Sequence, residues 1–378
     1  MKISSNIYHT KPKIKKLQTR HILIVLLSAT TTILIGIFIY DNTFRLYKNN
    51  VHNNNIIPNT SVIESEVTEE KYENIKLEIL NINDIPKHAK TYDKNYTFTI
   101  KTTNNVVLEK NQKFIDIQKV AKNENIFVVI LKNIGNGISN RTIELIDNKQ
   151  NRIVIDITLE KIAYNLPFGI SEIPEWPNTK YTNIYNNLLI VVDKEYRLPH
   201  NYEPNDLVEI GKEPYLLYTN IPNIKLRKEA ADALKAMLMQ YKKDTGKNLV
   251  VASGYRSYEE QYKVYVNWIK SLGMKEADKI SARPGYSEHQ LGTVVDFINE
   301  ESDYNLDIKF SKGKAFSWLL KYAVEYGFVM SYPENKENIT GYSFEPWHWR
   351  YIGIENAKKF LKSGKTLNKF LRDMFNIN

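Results

Sequence analysis

The 378-residue sequence contains no cysteine. That absence excludes disulfides, thiolate metal ligands, a sulfur nucleophile and the lipidated cysteine of a lipoprotein. Any metal site must therefore be built from His, Asp and Glu. A chain without cysteine suits export without disulfides, although this does not by itself fix the compartment. Acidic residues are missing from positions 1–20, where Lys2, Lys11, Lys13, Lys15, Lys16 and Arg20 supply most of the formal charge of +9. The rest of the chain is close to balanced and lacks the clustered basic surface that nucleic acid demands, so no nucleic-acid partner is expected. Charge of either sign is missing from residues 22–40. A helix of that length, at about 1.5 Å per residue, spans roughly 29 Å, close to the thickness of a hydrocarbon core. Small residues are scarce as well: Ala29 is the one alanine before Ala89, which leaves no small-residue cleavage site. The expectation is an uncleaved signal anchor rather than a removed signal peptide. Its basic flank places the N-terminus in the cytoplasm and everything after about residue 41 outside, in a single pass through the cell membrane.

Beyond residue 40 the chain divides by composition and by period. Residues 41–75 are rich in asparagine (Asn49, Asn50, Asn53, Asn54, Asn55) and read as a spacer. Between 76 and 165 the pattern turns strand-like. Tyr96, Phe98 and Ile100 alternate with threonines, 126–131 is a short apolar run, and Ile143, Leu145, Ile153, Ile155 and Ile157 alternate again. Period two with β-branched residues predicts a small β-rich domain of unknown role, since it holds no cluster of catalytic residue types. Pro167, Pro174 and Pro177 mark a connection. From about 186 to 378 helices and short strands mix without regular βαβ alternation, which predicts an α+β domain. Expected elements are a strand at 188–192, a helix carrying Ala230, Ala233, Met237 and Tyr241 and closed by Gly246, and a strand at 249–252. Further on they are a helix from 258 to 272, a strand at 294–297, a helix from 314 to 326 closed by Gly327, and a helix near 354–361.

Histidine is rare beyond position 88, where only His200, His289 and His348 occur. Two of them sit in unusual surroundings: Ser287-Glu288-His289 leading to Asp296, and Glu345-Pro346-Trp347-His348. A catalytic zinc takes about three nitrogen or carboxylate ligands and keeps one position open. Two imidazoles and a carboxylate meet that need and leave a second carboxylate as base. Asp296 lies in an apolar run, where an unpaired acid is costly to bury. The same residues also suit hydrogen-bonded core histidines and an acid paired with Arg or Lys, and spacing alone leaves both readings open. Because residues three apart on a strand face opposite sides, Glu345 and His348 can share one site only across a bend at Pro346.

Three blocks go further. Ser253-Gly254-Tyr255-Arg256-Ser257 with Gln261, Ser287-Glu288-His289 through Asp296, and Glu345-Pro346-Trp347-His348 resemble the signature blocks of VanY-type D-alanyl-D-alanine carboxypeptidases, zinc enzymes that trim peptidoglycan stem peptides. The likeness runs over roughly 186–362, about half the chain. It implies an α+β zinc peptidase domain with His289, Asp296 and His348 as zinc ligands. It also implies Glu345 as the base that activates water, Arg256 at the scissile carbonyl or its oxyanion, and Gln261 and Ser287 holding the substrate's C-terminal end. The expected substrates are peptidoglycan stem peptides, with the membrane engaged through the N-terminal helix. Related folds act as L,D-carboxypeptidases, dipeptidases or endopeptidases, and the sequence leaves that choice open, as it does the oligomeric state. A reading of another class, a wall-binding protein with 76–165 as its working part, has no lectin-like or wall-binding signature behind it.

Overall fold

A computed structural model describes residues 76–377 apart from 111, 121–123, 165, 183–187 and 216. The basic segment, the expected anchor at 22–40 and the spacer at 41–75 lie outside the described residues. Among the described residues no helix is long and apolar enough to cross a membrane.

The first seven strands are β1 (His88–Thr91), β2 (Tyr96–Lys101), β3 (Val106–Leu108), β4 (Ile115–Lys119), β5 (Ile126–Leu131), β6 (Gly137–Asp147) and β7 (Arg152–Lys161). They form a four-stranded sheet in the order β1-β7-β6-β3 and a three-stranded sheet in the order β2-β5-β4. Phe98, Ile100, Val129 and Leu131 from one sheet and Ile143, Leu145, Ile157 and Leu159 from the other share a core. In β2 threonines alternate with Tyr96, Phe98 and Ile100, a pattern that in many antiparallel sheets leaves the polar side chains facing water. Instead Thr97 is buried, because its side of the strand packs on His200: the Thr97 backbone N–H donates to His200 Nδ1 at 3.2 Å.

The rest of the chain adds two short pairs, β8 (Lys180–Tyr181) with β9 (Tyr196–Arg197) and β10 (Leu207–Glu209) with β11 (Lys225–Arg227). Helix α1 (Lys228–Thr245) comes after them, its apolar residues at helical spacing and Gly246 in the left-handed conformation as its C-cap. Next come β12 (Val250–Ser253), α2 (Tyr258–Leu272), α3 (Met274–Ile280), β13 (Val294–Ile298) and α4 (Lys314–Tyr322). The chain closes with β14 (Phe328–Met330), a single turn α5 (Glu337–Thr340), β15 (His348–Tyr351), α6 (Ile354–Ser363) and α7 (Leu367–Met374). An antiparallel sheet in the order β12-β13-β15-β14 carries the site. Leu234, Met237 and Leu238 of α1 pack with Val251, Val295, Phe297 and Trp349 of that sheet in one core, so this is an α+β domain. In β12 the register slips by one between Val251 and Ser253, a β-bulge at the strand's exit.

Two expectations need correction. Residues 189–192 are buried and Leu188 is half-buried, but 188–192 form no strand. The fully buried Arg350 guanidinium donates to the Leu188 and Ile190 carbonyls at 3.1 and 2.7 Å, taking acceptors that a strand neighbour would use. The helix expected at 314–326 is α-helical only to Tyr322 and finishes as a 3₁₀ turn before Gly327.

Candidate metal centre

Asp296 and His348 are direct cross-strand partners on β13 and β15, which puts both side chains on one face of the sheet. His289 arrives from a 3₁₀ turn, Glu288–Leu291, whose N-cap is Ser287; the Ser287 hydroxyl accepts from the His289 backbone N–H at 3.3 Å. His289 Nε2 lies 3.2 Å from Asp296 Oδ2, and His348 Nδ1 lies 3.2 Å from Asp296 Oδ1. One donor atom from each of the three residues lies within 4.8 Å of the others, and all three residues are buried.

The far nitrogen of each ring fixes its tautomer. His289 Nδ1 is 2.7 Å from the Gly254 carbonyl and donates to it, leaving a lone pair on Nε2. His348 Nε2 is 3.0 Å from Glu288 Oε2 and donates to it, so that in the neutral, ligating ring the lone pair is on Nδ1. Both lone pairs therefore face Asp296. Gly254 is required for the first arrangement, since a Cβ there would meet the Lys225 carbonyl oxygen at 2.6 Å. Asp296 Oδ1 and His348 Nδ1 are buried without a hydrogen-bond partner, a costly state that a bound cation relieves. Two imidazole nitrogens and a carboxylate oxygen are a fitting donor set for zinc with a position left open.

The electrostatics agree. Burial works against the Asp296 charge, but the two histidines hold its carboxyl far below the usual carboxylate range. Burial lowers His289 and keeps it in the neutral, ligating form. His348 goes the other way: burial opposes its charge, yet Asp296 and Glu288 push it up to about 10. A cation held between the two rings takes the place of the proton that Asp296 and Glu288 keep on His348. Glu345 is pushed up to about 7, first by burial and further by Asp296, with His348 and Arg256 pulling it back. A carboxylate poised near neutrality is suited to general-base work.

The bend expected at Pro346 is a turn. The His348 backbone N–H donates to the Glu345 carbonyl at 3.2 Å, and the Glu345 Oε2 comes within 3.6 Å of His348 Nδ1. Arg256 completes the ring of charged groups. Its Nη1 donates to Gln261 Oε1 at 2.6 Å, its Nη2 to Ser253 Oγ at 3.0 Å, and its backbone N–H to the His289 carbonyl at 3.2 Å. A cleft of about 440 Å³ is lined by Arg256, Gln261, Ser287, Glu345 and the three ligands, within the ordinary range for a small-ligand site. All seven residues singled out from the sequence are therefore brought together. Gln261 has both ends of its amide engaged, accepting from Arg256 and donating to the Ala282 carbonyl at 2.7 Å. Of the aromatics, Trp347 lines the cleft, whereas Trp349 belongs to the core beneath and Tyr286 packs on Arg197.

Sequence reasoning missed Glu288 and Arg350. Glu288 holds His348 with one oxygen and receives Arg350 Nη1 on the other at 2.7 Å. Burial raises its pKa, but Arg350 and His348 bring it down to about 2, so it stays ionised. Their positions, one residue before and two residues after a ligand histidine, were the available signal. Glu288→Gln is expected to weaken zinc binding by about 10–100-fold, the usual effect of losing the group that orients a ligand histidine. Competition against a chelator of known affinity reads this directly, and unchanged affinity would remove Glu288 from the centre.

A poised base beside one open metal position is what a mononuclear metallopeptidase requires. The chain belongs to the VanY family of D-alanyl-D-alanine carboxypeptidases, whose profile matches residues 223–354. The putative carboxypeptidase YodJ of Bacillus subtilis (strain 168) is 41% identical over 184 residues, 49% of this chain and 67% of that protein. The bifunctional D-Ala-D-Ala dipeptidase and carboxypeptidase VanXYC of Enterococcus gallinarum is 30% identical over 188 residues, 49% of this chain and 93% of its own. Similar solved structures include the LD-carboxypeptidase LdcB (38% identity, TM-score 0.44, covering 48% of this chain and 84% of that one). Another is a mutant of the D,D-pentapeptidase VanY of a VanB-type resistance cassette in complex with Zn(II) (27% identity, TM-score 0.41, covering 49% and 99%).

Proposed function

We propose that this chain is a zinc D,D-carboxypeptidase that removes the terminal D-alanine from peptidoglycan stem peptides, held at the outer face of the cell membrane by residues 22–40. The observation that carries the reading is the buried Glu345 carboxylate beside the His289, Asp296 and His348 donor set. Zinc bound by these residues supplies Lewis acidity that brings the pKa of a water down to about 7. Glu345 accepts the proton of the attacking water and returns it to the departing amine. Arg256, with its guanidinium at the cleft and fixed by Gln261 and Ser253, donates to the oxygen on which charge develops. Ser287 faces the same cleft and suits the substrate's terminal carboxylate. The basic, uncharged and asparagine-rich succession before residue 76 supports the external location of both enzyme and substrate.

Incubation of the purified ectodomain with pentapeptide and tetrapeptide stems, read by mass spectrometry, tests the proposal. The expected result is loss of one alanine from the pentapeptide. Loss from the tetrapeptide alone would replace D,D by L,D specificity, and cleavage of neither would overturn carboxypeptidase action on these stems.

A further inference from the structure

Residues 88–161 lie outside the matched family region and hold no cluster of catalytic residue types, yet together with the connection that follows they pack on one particular helix. Helix α2 has two occupied faces. Tyr258, Tyr262 and Val266, spaced one turn apart, are buried against Tyr92, Tyr164, Leu166 and Ile173. Gln261, Val264 and Trp268, on another side, line the cleft. Tyr92, in the turn between β1 and β2, stacks on Tyr262 with ring centres 4.9 Å apart and planes 23° from parallel, and Tyr164 meets the same ring edge-on at 5.5 Å.

The grip is tightest at the helix start. Tyr258 is the first residue of α2, and its hydroxyl donates to the Asp93 carboxylate. His200 Nδ1 accepts from the Thr97 backbone N–H, so Nε2 carries the proton and donates to the same Asp93 carboxylate at 3.3 Å. The His200 ring lies over the Tyr258 ring, centres 3.9 Å apart. Immediately before Tyr258 come Ser257, the N-cap, and Arg256; three residues after it comes Gln261, which accepts from Arg256 Nη1 at 2.6 Å. Movement of α2 by about 1 Å carries that bond out of hydrogen-bonding range. None of the three metal ligands is on α2.

We propose that the β-rich region is a positioning element for Arg256, acting through the contacts of Asp93 and Tyr92 with Tyr258 and Tyr262 of helix α2. Asp93 and Tyr92 are positioning residues that touch no substrate. The inference rests on the catalytic part given to Arg256 under the proposed function, and the two can fail separately.

The test is a four-protein cycle in the full-length chain: parent, Asp93→Ala, Arg256→Ala and the double variant, assayed for kcat, KM, zinc content and melting temperature. A misplacement near 1 Å can cost about a hundredfold in rate, so Asp93→Ala is expected to lower kcat by roughly 10–100-fold with zinc content unchanged. In the Arg256→Ala background the same substitution should cost less than about twofold, because coupled residues are not additive. Asp93→Asn, which keeps an acceptor for Tyr258 and a polar partner for His200, should restore most of the rate. Equal losses in both backgrounds, loss of zinc along with activity, or an unchanged kcat in Asp93→Ala would overturn the proposal. If Asp93→Ala does not fold, Tyr92→Leu replaces it in the cycle and is judged by the same outcomes. A parent-like kcat in Arg256→Ala alone would instead overturn the catalytic part assigned to that arginine.

Discussion

His289→Ala is expected to abolish metal binding and turnover together. The purified protein should go from about one zinc per chain, as a three-ligand catalytic site holds, to near zero. The loss is large because the remaining donors are poorly matched to the task. Asp296 and His348 are one cross-strand pair on neighbouring strands, and His289 alone closes the third side from a separate turn. Without it, Asp296 keeps its buried charge beside a single imidazole. The Gly254 carbonyl also loses its donor, which costs about 1–3 kcal/mol for an unsatisfied buried group. Metal analysis after preparation without chelator, paired with the stem-peptide assay, checks both halves. A variant that keeps a full equivalent of zinc would show that the ion sits elsewhere.

Glu345→Gln should separate what His289→Ala combines. Zinc content stays at the parent level, and kcat falls by about 10²–10⁴, the usual contribution of a positioned general base. KM should change little if the carboxylate acts only as the proton moves. The same substitution is expected to stabilise the metal-free protein. Glu345 has a pKa near 7 in the fold against an ordinary value of 4.5. A carboxyl raised by folding favours the folded state only while protonated; above the unfolded pKa its ionisation works increasingly against folding, until pH passes the folded value. The gain from removing that charge is therefore absent near pH 4, grows through pH 5–7, and reaches about 3 kcal/mol at most. Thermal melts of apo parent and apo variant at pH 4 and pH 8 read it. Equal melting temperatures at pH 8, or loss of zinc from the variant, would contradict the assignment.

The centre was legible because its residues fall in short blocks that resemble the signature blocks of a known peptidase family; residue types and spacing alone left a metal site and a hydrogen-bonded core both open. The bend at Pro346 could be inferred from strand parity alone. Contacts across long separations were not legible. Glu288 meets His348 sixty residues away, and its place beside His289 does not show that it serves the other ligand histidine. Residues 188–192 read as a strand because a buried apolar run looks the same whether its carbonyls meet a neighbouring strand or a guanidinium. Thr97 shows the same limit, since its pattern marks a polar face without showing that His200 covers it. Helix α7 escaped notice because it is only eight residues long and only a short turn through Gly364 separates it from α6.

The bulge in β12 sets a parity for everything downstream of it. Val251 pairs with Phe297, but Ser253 pairs with Asp296, so one residue is extra on the β12 side. Because side chains alternate along a strand, that odd count decides which way the chain points as it leaves for Arg256. Removing a single residue here moves Gly254 and Arg256 by one step of about 3.3 Å and reverses their facing, so the carbonyl that orients His289 shifts together with the guanidinium. For protein evolution this makes β12 intolerant of length change. A chain with one residue fewer at this point would lack its arginine and the carbonyl that orients one ligand, an inert relative in which every signature residue is still spelled out.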